Sequence, residues 1–569
     1  MNARDPQLPL QPDAASALGA FADRRWDEAI VPALTDYIAI PAKSPMFDAD
    51  WAGNGFIDRV VRDAASWVES RKVPGLTLEV VRLPGRTPVI FFEIEAASGR
   101  RAAPSPDFPP RGGDAAGVLG AQSAGRWAAP SPDAPPRGGD AAGVLGAQST
   151  GRRAAPSPDF PPRGGDAAGV LGARITARSS GTVLMYGHLD KQPEFTGWRS
   201  DLGPWTPKYE GGLLYGRGGA DDGYAVYAAI TAVESLKAQG LAHPRIVGLI
   251  ETCEESGSHD LPPYLDALRS RLGEVALVVC LDSGAGNYDQ LWLTTSLRGM
   301  VSGVLKVEIL TEGVHSGDSS GVVPSSFRIL RHVLDRLEDS ATGRLLPESF
   351  HCQLPTDRAE QAQAAAAILG EMAWKTFPWA CGADGGSTLP TTTDPVQALL
   401  NRTWRPTLSV TGVDGFPEMK SAGNVLRPYT AFKLSLRLPP LVDGHLASLA
   451  LKTLLEDNAP YNARVTFHPD GRAGALGANG WNAPELAPWL ASALNTASQA
   501  QFGAPVAYIG QGGTIPLMSL LQQGFPQAQM MVCGVLGPKS NAHGPNEFLH
   551  VPYAKRLTAA VAQVIAACP

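Results

Sequence analysis

Apolar runs that break off at a histidine or an acid recur along this chain. "VLMYGHLD" (183–190) ends on His188 and Asp190, "RIVGLIETCEE" (245–255) on Glu254 and Glu255, and "ALVVCLD" (276–282) on Asp282. A fourth run, in "AQMMVCGVLG", precedes a loop that carries His543. "GGADDG" sets Asp221 and Asp222 just ahead of a helix marked by Ala225, Ala228, Ala229, Ala232 and Leu236 at helical spacing. Such runs read as buried strands, and strands interleaved with helices predict an α/β fold with a mainly parallel sheet. In an open α/β sheet the loops at the carboxyl ends of the strands converge on one crevice. Five boundaries would therefore bring two histidines and several carboxylates together.

Each of these residues alone has an ordinary explanation. His188 and Asp190 share one face of a strand end, which also describes a surface histidine paired with an acid. One of Asp221 and Asp222 could simply cap a helix. A glycine-rich phosphate loop is disfavoured, because adjacent carboxylates repel the anion. Gathered in register, so many carboxylates need countercharge, and a metal centre provides it. Imidazole nitrogen with carboxylate oxygen is a zinc-like donor set that manganese or cobalt also suits, and a two-metal site is expected.

At 569 residues the chain exceeds what one hydrophobic core usually holds. Part of that length is repetitive: "PSPDFPPRGGDAAGVLGA" at 104–121 returns at 130, with Ala134 in place of Phe108, and again at 156. This Pro, Gly, Ala and Ser composition has too little apolar surface to offset its ordering entropy, so 98–180 is expected to be a disordered insert between two strands. Looping it out costs only about 2.5 kcal/mol relative to a short turn.

The net charge of −7 and the lack of a Lys/Arg cluster argue against nucleic acid as a partner. The start of the sequence does not read as a secretion signal, and no run of eighteen apolar residues occurs, so a cytoplasmic protein with no membrane contact is expected. Six scattered cysteines without metal-finger spacing read as reduced, buried thiols. Beyond Leu297, "VSGVLKVEIL" alternates as a half-buried strand through Leu305, Val307 and Ile309. "SSFRILRHVLDRLEDS" predicts an amphipathic helix through Phe327, Leu330, Leu334 and Leu337, and "TAFKLSLRLPP" a further strand.

The ordered set "GHLDKQP", "GRGGADDG", "EESGS", "CLDSG", "GVHSG" and "AHGPNEF" resembles the carnosinase, aminoacylase and desuccinylase family of co-catalytic zinc metallopeptidases. The resemblance covers nearly the whole chain outside the insert. It implies a catalytic domain in three parts, 1–97, 181–296 and 471–569, and an inserted α+β lid and dimerisation domain at 297–470. It implies two divalent metal ions, one held by His188, Asp221 and Asp282 and the other by Asp221, Glu255 and His543. Asp190 would fix the ring of His188. Glu254 would be the general base toward a bridging water, returning the proton to the leaving nitrogen. His315 would reach the other subunit's site in a homodimer, and Arg437 would clamp a substrate carboxylate. Asn424, His468 and Thr514 align more loosely with substrate-contacting positions. An unusual peptide geometry at Asp221–Asp222 is implied as well.

Asp at position 282, rather than Glu, is the pattern of the family's aminopeptidase and dipeptidase branch. With "GHLDKQP" and the following Gly197, Trp198, Pro204 and Trp205, it favours a small peptide substrate with a free amino group. Lys191 departs from the small apolar residue common there. An N-acyl amino acid deacylase is the alternative within the family. A catalytically inactive binding protein would be expected to have lost a ligand or the base, and all are present. A scaffold built on the repeats would depend on 98–180, which hydrolysis would not.

Overall fold

The computed structural model describes residues 12–99, 181–383, 385–472, 475–514 and 516–569. The insert expected at 98–180 lies, from residue 100 on, outside those described.

A six-stranded sheet carries the carboxyl-end loops. Its order is Leu76–Val81, Val89–Ile94, Ile246–Glu251, Thr182–His188, Val275–Cys280, Gln529–Val532. The last four strands are mutually parallel, and the first two add an antiparallel edge. Thr182–His188, central and buried along its whole length, pairs with a neighbour on each side. A strand covered on both faces is apolar rather than alternating, which is why "VLMY" has one polar atom in its side chains, the Tyr186 hydroxyl, and that donates to Glu251 at 2.7 Å. His188 stands opposite Glu251, and Tyr186 opposite Cys280, so the parallel register brings the ends of three strands level.

Helices Phe56–Ser70, Tyr224–Ala238 and Val551–Ala567 contribute to the larger core. Tyr224–Ala238 is buried on nearly every side, which explains its run of alanines: small side chains let it approach the sheet. A Cβ on Gly187 would lie 2.6 Å from that of Ala225, so the strand can meet the helix only without a side chain there.

A second sheet, Thr407–Asp414, Tyr429–Leu438, Gly299–Glu308 and Arg464–Pro469, is antiparallel throughout. Its Gly299–Glu308 strand alternates buried and half-buried, as its sequence predicts. Helices Ser326–Leu334 and Gly444–Glu456 close over one face to form a separate core with Leu305, Val307, Leu434 and Leu451. The first of these helices ends at Leu334 and buries Ile329, Leu330 and Val333. Leu337 lies buried beyond its end, and Phe327 points outward against Phe416 and Phe432. Within the interval 297–470, helices Thr356–Leu369 and Pro395–Thr403 belong to the first core, with Ala365, Leu369 and Leu399 packed there.

The chain leaves the first sheet after Val89–Ile94 and rejoins it at Thr182–His188. The two flanks are fastened two residues apart, with Ala97 N–H donating to His243 O at 3.0 Å and Val183 N–H to Arg245 O at 2.9 Å. All six cysteines are free; Cys253, Cys280, Cys533 and Cys568 are buried as expected, whereas Cys381 is exposed and Cys352 half-buried.

Candidate metal centre

The level strand ends assemble a cluster around Asp221. Its Oδ1 lies 3.5 Å from His188 Nε2, and its Oδ2 lies 2.9 Å from His543 Nε2. Asp282 Oδ2 stands 3.8 Å from His188 Nε2, and Glu255 Oε2 stands 3.4 Å from His543 Nε2. His188, Asp221 and Asp282 can thus each point one ligand atom into a common space, all within 4.8 Å of one another; so can Asp221, Glu255 and His543. Asp221 belongs to both sets. The peptide bond between Asp221 and Asp222 is cis. Neither carboxylate caps the helix that follows, which removes the ordinary reading of that pair.

The donor set fits divalent cations. His188 is fully buried, its Nε2 has no hydrogen-bond partner, and it faces two carboxylates. No Lys or Arg pairs with Asp190, Asp221, Glu254, Glu255 or Asp282 among the described residues. Burial disfavours charge on His188, yet the carboxylates of Asp190, Asp221 and Asp282 facing it hold its pKa well above the usual imidazole value. Burial raises Asp282 to about 7, and it lifts Glu254 and Glu255 well above the carboxylate range, with Asp282 and Asp221 adding repulsion. Against its own burial, Asp221 is held far below that range by the two histidines. A pocket that crowds anions to this degree wants positive charge.

Asp190 does more than support the ring. Its Oδ1 stands 3.5 Å from His188 Nδ1, which also lies 3.1 Å from the Asp190 carbonyl oxygen. The same carboxylate accepts the backbone N–H of Glu254 at 3.1 Å and of Glu255 at 3.0 Å, fixing the 3₁₀ turn Glu254–Ser256. That turn aims two adjacent acids differently. Glu255 joins the ligand set and accepts a 2.6 Å hydrogen bond from Gln192 Nε2, while Glu254 belongs to neither triad.

Two further residues were legible only as parts of motifs. Arg217 and Glu547 form a buried ion pair. Arg217 also donates to the carbonyl of Gly544 at 3.0 Å, and Glu547 Oε1 accepts the Gly218 N–H at 2.8 Å. They brace the loop on which His543 sits with φ of 65°. Lys191 is fully buried: its ammonium donates to the carbonyls of Tyr37 and Ile40 at 2.7 and 2.8 Å, at the end of helix Val31–Ile38, and lies 3.8 Å from the Tyr37 ring centroid. Each carbonyl also accepts a backbone N–H, from Ile40 and Ala42, so the ammonium adds a second, charged donor where the helix ends. This is what a lysine does in place of a small apolar residue.

The other expected contacts fall into separate groups. Arg437, at the end of its strand, donates to Thr514 Oγ1 at 3.0 Å, and that hydroxyl donates to Arg298 O at 2.6 Å. His315 and Asn424 share a two-stranded ribbon, in which His315 pairs with Val425 and Ser316 N–H bonds Asn424 O. His315 is exposed, with Asp318 3.5 Å away. His468 lies exposed on the edge strand Arg464–Pro469, opposite Val304. Neither His315, Asn424 nor His468 touches the metal cluster within this chain.

The profile of peptidase family M20/M25/M40 matches residues 184–567. The chain belongs to this family. It is 27% identical over 390 residues to the cysteinylglycine-S-conjugate dipeptidase of Corynebacterium striatum, covering 66% of this chain and 79% of that protein. It is 26% identical over 378 residues to the Beta-Ala-His dipeptidase of Rattus norvegicus, covering 64% of this chain and 73% of that one. Among solved structures, human carnosine dipeptidase 1 has the same fold, with a TM-score of 0.66 at 19% identity over 99% of each chain. So does the dipeptidase Dug1p of Saccharomyces cerevisiae, with a TM-score of 0.66 at 18% identity over 98% of this chain and 99% of that one. The M20/M25/M40 profile spans all five candidate ligands and Glu254. No helix among the described residues is long and apolar enough to cross a membrane.

Proposed function

We propose that this M20/M25/M40 peptidase hydrolyses dipeptides at a dinuclear metal centre. The observation that carries the reading is the carboxylate of Asp221, whose two oxygens serve two different triads of potential ligands. His188, Asp221 and Asp282 would hold one cation and Asp221, Glu255 and His543 the other, with zinc the best match to this donor set. Such cations supply Lewis acidity toward the scissile carbonyl and make water a stronger acid.

The chain supplies the rest. Asp190 holds the backbone of Glu254, so the base is presented on a fixed turn rather than a loose side chain. Glu254 accepts the proton of the attacking water and delivers it to the departing nitrogen, for which one carboxylate in a water-poor cleft suffices. Arg437, steadied by Thr514, grips the substrate's terminal carboxylate in its planar fork. His315 and Asn424, on an exposed ribbon remote from the cluster, act on the other protomer's site in a homodimer. His468 contacts substrate only from such a partner surface. The names of the dipeptidase relatives and the Asp at position 282 support a dipeptide over an acylated amino acid.

The test is hydrolysis of a panel of dipeptides and N-acyl amino acids by protein reconstituted with zinc, manganese or cobalt, beside Glu254→Gln. Dipeptide cleavage that vanishes with chelator and in the variant is expected. Preference for acylated substrates would transfer the protein to the deacylases, and failure to bind any metal would sink the mechanism.

A further inference from the structure

Three arginines lie near one another where the chain passes from the strand Trp292–Leu297 into the antiparallel sheet. Arg298 follows the strand Trp292–Leu297, Arg437 ends Tyr429–Leu438, and Arg402 lies in the last turn of Pro395–Thr403. Arg298 is 8% exposed, and its hydrogen-bond partners are neutral: Gly512 O at 3.2 Å and Thr407 Oγ1 at 3.1 Å. Arg437 has the Thr514 hydroxyl, and Arg402 Nε is buried without a partner. Among the described residues no carboxylate pairs with any of the three. Burial, then the nearness of Arg437 and Arg402, push Arg298 down to about 9, and no acid opposes that shift.

Gly512 lies between two of them, against the guanidinium of Arg298 and the stem of Arg402. A Cβ built there would meet Arg298 Nη2 at 3.2 Å and Arg402 Cγ at 3.3 Å. The same loop connects this corner with the metal cluster. Gln511 Nε2 lies 2.7 Å from where a Cβ on Gly284 would stand, two residues after Asp282. From Gln511 to Thr514 the chain spans at most roughly 10 Å, the length scale of a dipeptide.

Uncompensated buried charge is costly, and clustered arginines repel one another. One substrate carboxylate leaves two of the three positive charges unanswered. We propose that Arg298 and Arg402 join Arg437 in a pocket for a second carboxylate, so that the preferred substrates are dipeptides whose C-terminal residue is Asp or Glu. This rests on the dipeptidase reading and deepens it. The planar forks of three arginines can engage an α-carboxylate and a side-chain carboxylate at once, whereas the isosteric amide offers one oxygen to accept and turns an NH2 donor toward the guanidinium donors.

The experiment compares kcat/KM of the metal-loaded enzyme on Ala-Glu and Ala-Gln, and on Ala-Asp and Ala-Asn. A preference of about tenfold or more for the acid is expected from charge-assisted hydrogen bonding, and R298Q and R402Q should reduce it to a few-fold. Arg402→Lys, which keeps the charge but loses the fork, serves if the glutamine variant does not fold. Equal cleavage of acid and amide would overturn the pocket and leave the dipeptidase reading intact. If no dipeptide is cleaved, that reading fails. Calorimetry of L-glutamate against L-glutamine on the metal-loaded protein then decides the pocket: tighter glutamate binding lost in R402Q supports it, and equal binding refutes it.

Discussion

Asp190 Oδ1 accepts the backbone N–H of Glu254 at 3.1 Å while standing 3.5 Å from Nδ1 of His188. One carboxylate therefore sets both a candidate ligand ring and the turn that carries the proposed base. Asp190→Asn turns an acceptor into a donor that faces either a backbone N–H or the imidazole. The expected result is a loss of roughly 10² to 10³ in kcat/KM, beyond the 10- to 100-fold weakening of metal affinity typical of residues behind a ligand. Kinetics at saturating metal, beside metal content after dialysis, separate the two effects.

The raised carboxyls make metal binding pH-dependent. Without cations Asp282, at about 7, and Glu254 and Glu255, well above the usual range, keep protons that an unfolded chain releases near pH 4. The folded state then binds more protons than the unfolded one, so the metal-free protein loses stability as pH rises from about 4 to 7. His188, also raised, adds in the same direction. The depressed Asp221 loses its contribution only as pH falls below the usual carboxylate value. Cations displace these protons, and the thermal midpoint difference between zinc-loaded and chelated protein should widen from pH 5 to pH 8. A constant difference would refute this.

Lys191→Met takes the charged donor away from the carbonyls of Tyr37 and Ile40, which keep only the backbone N–H groups of Ile40 and Ala42. The cost is about 2 kcal/mol or more, and the thermal midpoint of the metal-loaded variant should drop by several degrees. Because the lysine braces the helix Val31–Ile38 rather than the ligands, metal stoichiometry should be retained. Loss of metal with an unchanged midpoint would show that it serves the centre instead.

Mixing Glu254→Ala and His315→Ala protomers should restore part of the activity that each homodimer lacks, because one of the two sites regains both groups. Verified heterodimers that stay inactive would place the work of His315 within its own chain.

His188, Glu255 and Asp282 were legible because they close apolar runs, and a buried strand whose last residues are ionisable is hard to explain otherwise; Asp221 and His543 were legible from a helix entry and from the loop after a fourth run. The parallel register of His188 with Glu251 then does the gathering. Asp190 was legible as a partner of His188, but not as the anchor of the Glu254 turn, since that contact joins residues 64 apart in sequence. The helix at Ser326 was misjudged in its buried face because Phe327 finds two other rings outside the core. The arginine corner left no local trace at all. Its members lie on three separate elements and become neighbours only when the chain folds.

The flanks of 98–181 hang on His243 and Arg245, at the amino end of the strand Ile246–Glu251, whose other end stands opposite His188. Opening the polypeptide here therefore leaves its two ends moored side by side, a full strand's length from the metal ligands. Joining Gly99 to Gly181 through a short turn should keep kcat within about twofold, since the closure change is worth only about 2.5 kcal/mol. The same junction is a natural seam for new termini: a circularly permuted chain, or a reporter grafted in place of the repeats, would leave the catalytic rim undisturbed. Variants carrying one, two or three copies of the 26-residue unit should accordingly share one kcat, and a kcat that tracks copy number would give the repeats a part in the chemistry.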